Sequence, residues 1–234
     1  GSENKLPMDP WFLGYIIGNG FIKHNMCFST NDKEVLDKIK LLCDADEMEI
    51  NYLGKYDYRI ISKGGHHRKG YHSFPNKYTE VLKELKLYGL KSHEKFIPDI
   101  YLNSDKENRL ELIRGLMDSD GFVSKVGQIN YSTSSKQLSE DFVYLIRSIG
   151  GKCYVTEHIP SYTYKGEKRI GRKHYTCQIK YHSPNLLVCV ERKKERVRLY
   201  EKNKQLKIKE IKLLNSVPTA CIKVSHPSQL YITD

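Results

Sequence analysis

The chain has 234 residues, with 39 lysines and arginines against 28 acidic residues, a formal charge of +11 and a pI near 9.2. This length allows one large domain or two small ones, and the charge favours a polyanionic partner such as nucleic acid. No apolar run approaches the roughly 20 residues that span a bilayer and no targeting signal is recognised, so we expect no membrane contact and a cytoplasmic location.

The sequence contains two copies of one pattern. Residues 11–22, WFLGYIIGNGFI, are echoed by residues 112–123, LIRGLMDSDGFV, and residues 28–35, FSTNDKEV, are echoed by residues 131–138, YSTSSKQL. Because the order of the two echoes is the same and their spacing nearly so, the pattern indicates a duplicated unit.

Each copy is predicted to fold as helix, two strands, helix, two strands, helix. In the first copy we expect helices near 9–19, 32–44 and 75–87, with strands within 21–30 and 47–62. In the second we expect helices near 106–119 and 135–149, strands within 121–133, 152–160 and 173–182, and a basic helix over 184–214. The predicted organisation is α+β, a mixed α/β fold, with a first lobe at 5–91, a linker at 92–104, a second lobe at 105–216 and a tail at 217–234.

Small residues recur four apart in the first helix of each copy, which allows two helix backbones to approach closely. These inter-lobe packing residues are Gly14, Gly18, Gly115 and Ser119. Packing along these faces would leave Asn19 and Asp120 side by side. Oxygen ligands at such a meeting point can hold Mg²⁺, which activates water for phosphodiester hydrolysis. The alternative is that Asp118 and Asp120 only lie near a helix end and its turn, which the ordered repeat disfavours.

The two motifs resemble the paired LAGLIDADG signatures of single-chain homing endonucleases, and the resemblance covers nearly the whole chain. It implies two pseudo-symmetric αββαββα lobes whose motif helices form the inter-lobe interface and whose antiparallel sheets form a saddle over DNA. It also implies a monomer that cuts a long pseudo-symmetric double-stranded DNA target to leave short 3′ overhangs. The implied cofactor is Mg²⁺, with Ca²⁺ as a non-catalytic substitute.

The family's metal-binding carboxylate maps to Asn19 and Asp120, with Gly18 and Ser119 beside them in the candidate metal site, and Asp118 maps to a structural position. Asparagine keeps one oxygen of aspartate but loses its charge, so metal affinity at that half-site should fall. Either Asn19 is an engineered substitution that traps an uncleaved complex, or the protein has drifted to nicking or binding only. The intact remainder of the motif favours the first interpretation.

The family also places a lysine near the scissile phosphate in each lobe. Lys63 and Lys180 are the candidates for this catalytic role, although a solvated surface lysine would give the same pattern.

Basic and amide side chains in strands and loops are the candidate DNA contacts. They are Lys55, Arg59, His67, Arg68, Lys69, Lys168, Arg169, Arg172, Lys173 and Gln178. A strand face can read base edges in the major groove, whereas basic and aromatic loops suit phosphate and sugar contacts. Solvated hairpin tips are the alternative. A zinc site at His66, His67 and His72 is disfavoured because a fourth patterned ligand is missing.

Two end segments resemble inteins. Residues 221–234 resemble a block close to the C-terminal end of inteins, and residues 6–13 resemble the entry to an intein endonuclease region. We therefore expect the endonuclease region of an intein, impaired by Asn19. A non-cleaving or nicking DNA-binding protein is the alternative. An RNA maturase is disfavoured by the intein-like tail, and a transcription regulator because no room is seen for a helix-turn-helix domain.

Overall fold

The computed structural model describes most of the first 198 residues. The described ranges are 6–23, 26–63, 76–164 and 166–198, followed only by 210–213, 215–216, 218, 223–225 and 227. The chain forms one compact unit over residues 1–200 and a smaller one over residues 201–234. In the smaller unit, residues 210–213 are exposed and lie outside helices and strands. The described helices and strands of both lobes belong to the larger unit.

The first lobe combines helices with a four-stranded antiparallel sheet. Its elements are α1 (Pro10–Asn19), β1 (Gly20–Phe21), β2 (Cys27–Ser29), α2 (Lys33–Ala45), β3 (Met48–Gly54), β4 (Asp57–Ser62) and α3 (Lys77–Glu84). The strands lie in the order β1-β2-β4-β3. Helix α1 begins at Pro10 because the Asp9 side chain accepts a hydrogen bond from the Phe12 N–H and proline suits the first helical turn.

A short helix, α4 (Asp99–Leu102), lies in the predicted linker, and the second lobe follows it. The elements of that lobe are α5 (Lys106–Ser119), β5 (Gly121–Val123), β6 (Ile129–Thr133), α6 (Lys136–Ser148), β7 (Lys152–His158), β8 (Ser161–Tyr164), β9 (Glu167–Ile170), β10 (His174–Lys180), a 3₁₀ turn (Pro184–Leu187) and α7 (Glu191–Lys194). The main sheet has the order β5-β6-β10-β7. Since this order matches that of the first lobe, the predicted duplicated α+β fold is confirmed.

One face of each main sheet is covered by the second helix of its lobe. Apolar residues at helical spacing make α2 and α6 amphipathic, and their apolar faces are buried. Ile39 and Phe142 are fully buried in these faces, and Phe142 stacks on Tyr131 of β6. Burial of each such side chain contributes about 1.5–3 kcal/mol relative to exposure. None of the helices in the described part of the chain covers the other face of either main sheet.

No strand was predicted between residues 160 and 173, but β8 and β9 pair there as a separate two-stranded hairpin. Tyr162, Thr163, Tyr164 and Ile170 are residue types that favour strands. Gly166 adopts a positive φ of 83° and supplies the tight turn.

The predicted basic helix over 184–214 was also wrong. It is replaced by the 3₁₀ turn, the four-residue α7 and non-helical residues 195–198, while residues 199–209 lie outside the described residues. Long-range contacts explain the break. Arg192 of α7 forms a bidentate ion pair with Asp32. The buried Lys193 ammonium donates a hydrogen bond to the Met117 carbonyl in the second lobe. No described helix is long and apolar enough to cross a membrane.

Candidate active site and DNA-binding face

The two motif helices cross at their glycines. A Cβ atom added at Gly115 would lie 1.9 Å from the Trp11 carbonyl oxygen, and one added at Gly14 would lie 2.3 Å from the Leu112 carbonyl oxygen. Only residues without a side chain fit so close a contact between backbones. Gly18 and Ser119 meet one helical turn further along, where an added Cβ on Gly18 would strike the Ser119 hydroxyl.

Asp118 is a buried carboxylate that joins three parts of the larger unit. It is 3% exposed. One oxygen accepts a hydrogen bond from Trp11 Nε1 at 2.8 Å, and the other accepts from the backbone N–H groups of Cys189 at 2.7 Å and Val190 at 3.1 Å. Asp118 thus has a structural role, as the motif resemblance implies, and its oxygens are occupied by the protein.

We expect Asp118→Asn to lower the free energy of unfolding by roughly 2–3 kcal/mol, because an amide group would face an N–H donor in a buried site. Urea denaturation followed by circular dichroism measures this change. Asp37→Asn, on the exposed face of α2, is the control and should stay within about 0.5 kcal/mol. Equal stability of the two variants would contradict the structural role of Asp118.

Asp120 lies one residue beyond the end of α5 and is exposed. It lines a concave pocket with Gly18, Lys95, Ser132 and His174. Its carboxylate accepts no hydrogen bond from any described residue. Crowding by protein atoms desolvates the carboxyl group and raises its pKa, while the charges of nearby lysines oppose that shift. Its free oxygens are therefore directed to a pocket rather than used by the fold.

Asn19 occupies the equivalent place at the end of α1 and is also exposed. Its amide nitrogen donates a hydrogen bond to the carbonyl of Ser29, and the Ser29 hydroxyl donates to the Asp57 carboxylate. The second lobe has Ser132 and Thr176 at the corresponding strand positions. The first lobe therefore carries a carboxylate on β4 where the second lobe carries a hydroxyl.

Two buried lysines beside these helix ends were missed by the sequence analysis. Lys95 is 4% exposed, and its ammonium donates to the carbonyls of Ile17 and Gly20 at 2.8 Å. Lys193 is 5% exposed and donates to the carbonyls of Met117 and Asp118 at 2.7 Å. Burial lowers the pKa of each lysine to about 8. Positive charge at these carbonyl-rich ends also complements the helix dipole.

The similar spacing of the two lysines from the motif glycines is a sequence signal that they occupy equivalent positions. Lys95 follows Gly20 by 75 residues, and Lys193 follows Gly121 by 72 residues. The repeat could have paired them, but a lysine in a basic chain gives no sign of burial.

Neither Lys63 nor Lys180 contacts Asp120 among the described residues, and their catalytic role stays a prediction. Lys63 follows β4 and lies 3.2 Å from Asp44. Lys180 lies over the Tyr154 ring at the end of β10 opposite His174. Lys180 lies six positions along the strand from His174, which is about 20 Å. The register of β10, which cannot be read from the sequence, places Lys180 and His174 at opposite ends of the strand.

The candidate DNA contacts lie in several different places. Arg59 and Gln178 project from the uncovered faces of the two main sheets, Lys55 lies in the turn between β3 and β4, and Lys168 and Arg169 lie on β9. Arg172 and Lys173, expected in a strand, lie in the connection before β10, where Lys173 pairs with Glu157. His67, Arg68 and Lys69 lie outside the described residues, as do His66 and His72.

The oxygen atoms at the helix ends suit a hard divalent cation, since Asp120 offers a free carboxylate and Asn19 an amide oxygen. No group of three or more histidine, cysteine or acidic side chains is arranged for a metal in the described parts of the chain. A cation would therefore have to complete its coordination with water or with a ligand such as phosphate.

Residues 107–211 match the family described as LAGLIDADG-like domain. Replicative DNA helicase DnaB of Mycobacterium intracellulare is 27% identical over 150 residues, 59% of this chain and 24% of that protein. Probable translation initiation factor IF-2 of Methanocaldococcus jannaschii is 29% identical over 214 residues, 85% of this chain and 18% of that protein. The chain thus spans less than a quarter of the length of these relatives.

Among solved structures, the complex of I-DmoI with DNA and Ca is 13% identical, with a TM-score of 0.50, and the match covers 82% of this chain and 97% of that chain. This likeness concerns the fold. The protein is therefore a two-lobed LAGLIDADG-fold protein. Residues 107–211 match a LAGLIDADG-like domain, and the fold of the chain resembles that of I-DmoI.

Proposed function

We propose that this chain is a site-specific endonuclease for double-stranded DNA. It binds a long, pseudo-symmetric target as a monomer, and its chemistry is divalent-metal hydrolysis, with Mg²⁺ as cofactor and short 3′ overhangs when both half-sites act. The observation that carries the proposal is the pairing of Asn19 and Asp120 at the ends of crossed helices beside two equivalent uncovered sheets. The printed descriptions of I-DmoI structures, which name DNA with Ca, Mn or Mg, support the same class of ligand and cation.

Each residue of the site has a distinct part in this mechanism. Asp120, with Asn19 opposite, would hold the cation beside Gly18 and Ser119. When bound, the cation supplies an activated water and stabilises charge on the leaving oxygen. Lys95 and Lys193 fix the helix ends through their carbonyl contacts. With a pKa of about 8, Lys95 is largely protonated at neutral pH, and its charge favours a phosphate in the pocket that it shares with Asp120.

Asn19 makes the two halves unequal. The amide cannot supply the negative charge that Asp120 supplies, so we expect the chain as it stands to nick one strand or to bind without cutting. Non-cleaving DNA binding is the second candidate function, and Asn19 is the residue that favours it. An engineered substitution and natural drift are both compatible with this role.

We expect Asn19→Asp to give double-strand cleavage of the bound site in Mg²⁺, because it restores the second carboxylate. Duplexes recovered from a randomised library are incubated with the unchanged chain and with the variant, and nicked and linear products are separated by electrophoresis. Asn19→Ala, which supplies no carboxylate, is the matched control. Binding with no double-strand cut by the aspartate variant would instead support the non-cleaving function.

An intein origin fits the comparisons. A helicase and a translation factor have different activities, yet each resembles this chain over less than a quarter of its own length. A shared segment in otherwise different proteins is expected for an inserted element. We therefore propose that the chain is the endonuclease region of an intein and acts in the cytoplasm.

A further inference from the structure

The uncovered sheet faces, which we call the open faces, carry side chains that alternate with core residues. On β10, Tyr175, Cys177 and Ile179 point to the core, so Thr176 and Gln178 belong to the open face. On β4, the buried Ile60 places Arg59 on the open face of the first lobe.

Strand register aligns one row of residues across the main sheet of each lobe, and all of them are exposed or half-buried except Asn130, which is 6% exposed. In the second lobe, Phe122 pairs with Asn130, which pairs with Gln178, which pairs with Tyr154. In the first lobe, the corresponding row is Phe21, Cys27, Arg59 and Asn51. We call these two sets the reading rows. They occupy equivalent places because the two sheets have the same strand order.

Each reading row begins close to a motif position. Phe21 is the second residue of β1, which directly follows Asn19, and Phe122 is the second residue of β5, which directly follows Asp120. Both phenylalanines are exposed, Phe21 by 55% and Phe122 by 44%. Exposed aromatic side chains at equivalent positions of the two lobes indicate that this face contacts a ligand.

The central side chains of the two rows differ in their hydrogen-bonding chemistry. Arg59 Nε is buried and has no hydrogen-bond partner among the described residues. Gln178 is half-buried, and its amide likewise makes no hydrogen bond to any described residue. Arginine pairs with guanine O6 and N7, whereas glutamine pairs with adenine N6 and N7. Equivalent positions therefore carry different base preferences.

We propose that Arg59 selects guanine in one half-site and Gln178 selects adenine in the other, at equivalent positions of the two half-sites. The inference rests on the proposed DNA-binding function. The target is pseudo-symmetric in length but differs in sequence at these positions. This difference orients the protein, so that the Asp120 half-site always faces the same strand.

The test exchanges the two side chains. The unchanged chain, Arg59→Gln and Gln178→Arg are each incubated with a randomised duplex library in Ca²⁺, and the bound molecules are sequenced. Arg59→Gln should change the preference from guanine to adenine in one half-site only, and Gln178→Arg should do the reverse in the other. Each exchange should alter relative binding of the two bases by roughly 5- to 150-fold.

Three further measurements separate the outcomes. Lys40→Gln, an equal charge loss on the exposed face of α2, should leave every base preference unchanged. Arg59→Lys keeps the charge but cannot form the bidentate hydrogen bonds of arginine, so it should weaken the guanine preference. It serves as the test at this position if Arg59→Gln fails to fold. Thermal unfolding followed by circular dichroism identifies any misfolded variant.

If the unchanged chain enriches a site but the folded variants keep its preference at every position, the reading-row inference is overturned and the proposed function stands. If the unchanged chain enriches no duplex at all, the proposed function itself fails.

Discussion

Asp120→Asn is expected to reduce phosphodiester cleavage by about 100-fold or more, because it removes the free motif carboxylate at the helix ends. In the otherwise unchanged chain, Asp120→Asn should reduce the nicking rate. In the Asn19→Asp background, it should reduce the rate of double-strand cleavage. Initial rates on a recovered target duplex in Mg²⁺ measure it. Asp120 accepts no hydrogen bond from the described residues, so stability should change little.

Asp118 supplies the contrast for this experiment. Asp118→Asn should lower stability, whereas Asp120→Asn should lower activity and leave the unfolding transition in place. Binding of the target in Ca²⁺ should be retained by the Asp120 variant, since its sheet faces are untouched. Cleavage by Asp120→Asn at the rate of its parent would remove Asp120 from the proposed site.

Gly115→Ala is expected to destabilise the protein by about 3 kcal/mol or more, although alanine has the better helix propensity. Its Cβ atom would lie 1.9 Å from the Trp11 carbonyl oxygen and 2.8 Å from the Tyr15 nitrogen, and neither backbone atom can turn aside. The two helices would have to separate. Urea denaturation of the variant and the unchanged chain gives the difference in unfolding free energy.

Gly18→Ala provides a graded comparison. The added methyl group would meet the Ser119 side chain, whose hydroxyl can rotate, so the loss should be smaller than at Gly115. Gly115→Ala as stable as Gly18→Ala would show that the crossing is looser than the structure indicates.

The sequence predicted the fold where the signal was local or repeated. Helix α5 was expected at 106–119 and runs from Lys106 to Ser119, because apolar periodicity and the motif specify it. The hairpin of β8 and β9 was missed, since both strands are four residues long and fully exposed, and so short a segment rich in polar residues resembles a loop. The basic helix after β10 was overpredicted, because charge and periodicity ignore the contacts that hold Arg192 and Lys193.

The candidate site was predicted unevenly for a physical reason. Asn19 and Asp120 lie within the motif, so the repeat locates them. Lys95 and Lys193 act through distant main-chain carbonyls, and the sequence does not reveal which lysines are desolvated. Lys63 and Lys180 were chosen by position near a strand end, which the structure gives them, and their catalytic role stays a prediction.

The crossing of α1 and α5 makes the lobes candidates for exchange in chimaeric proteins. Because the contact at Gly14 and Gly115 is between main-chain atoms, the junction requires only small residues at these positions and no particular pair of side chains. A foreign lobe with the same small residues could occupy it, provided that it also reproduces the Trp11 to Asp118 hydrogen bond. Under the proposed function, such a chimaeric protein would recognise a DNA target that combines one half-site from each parent protein.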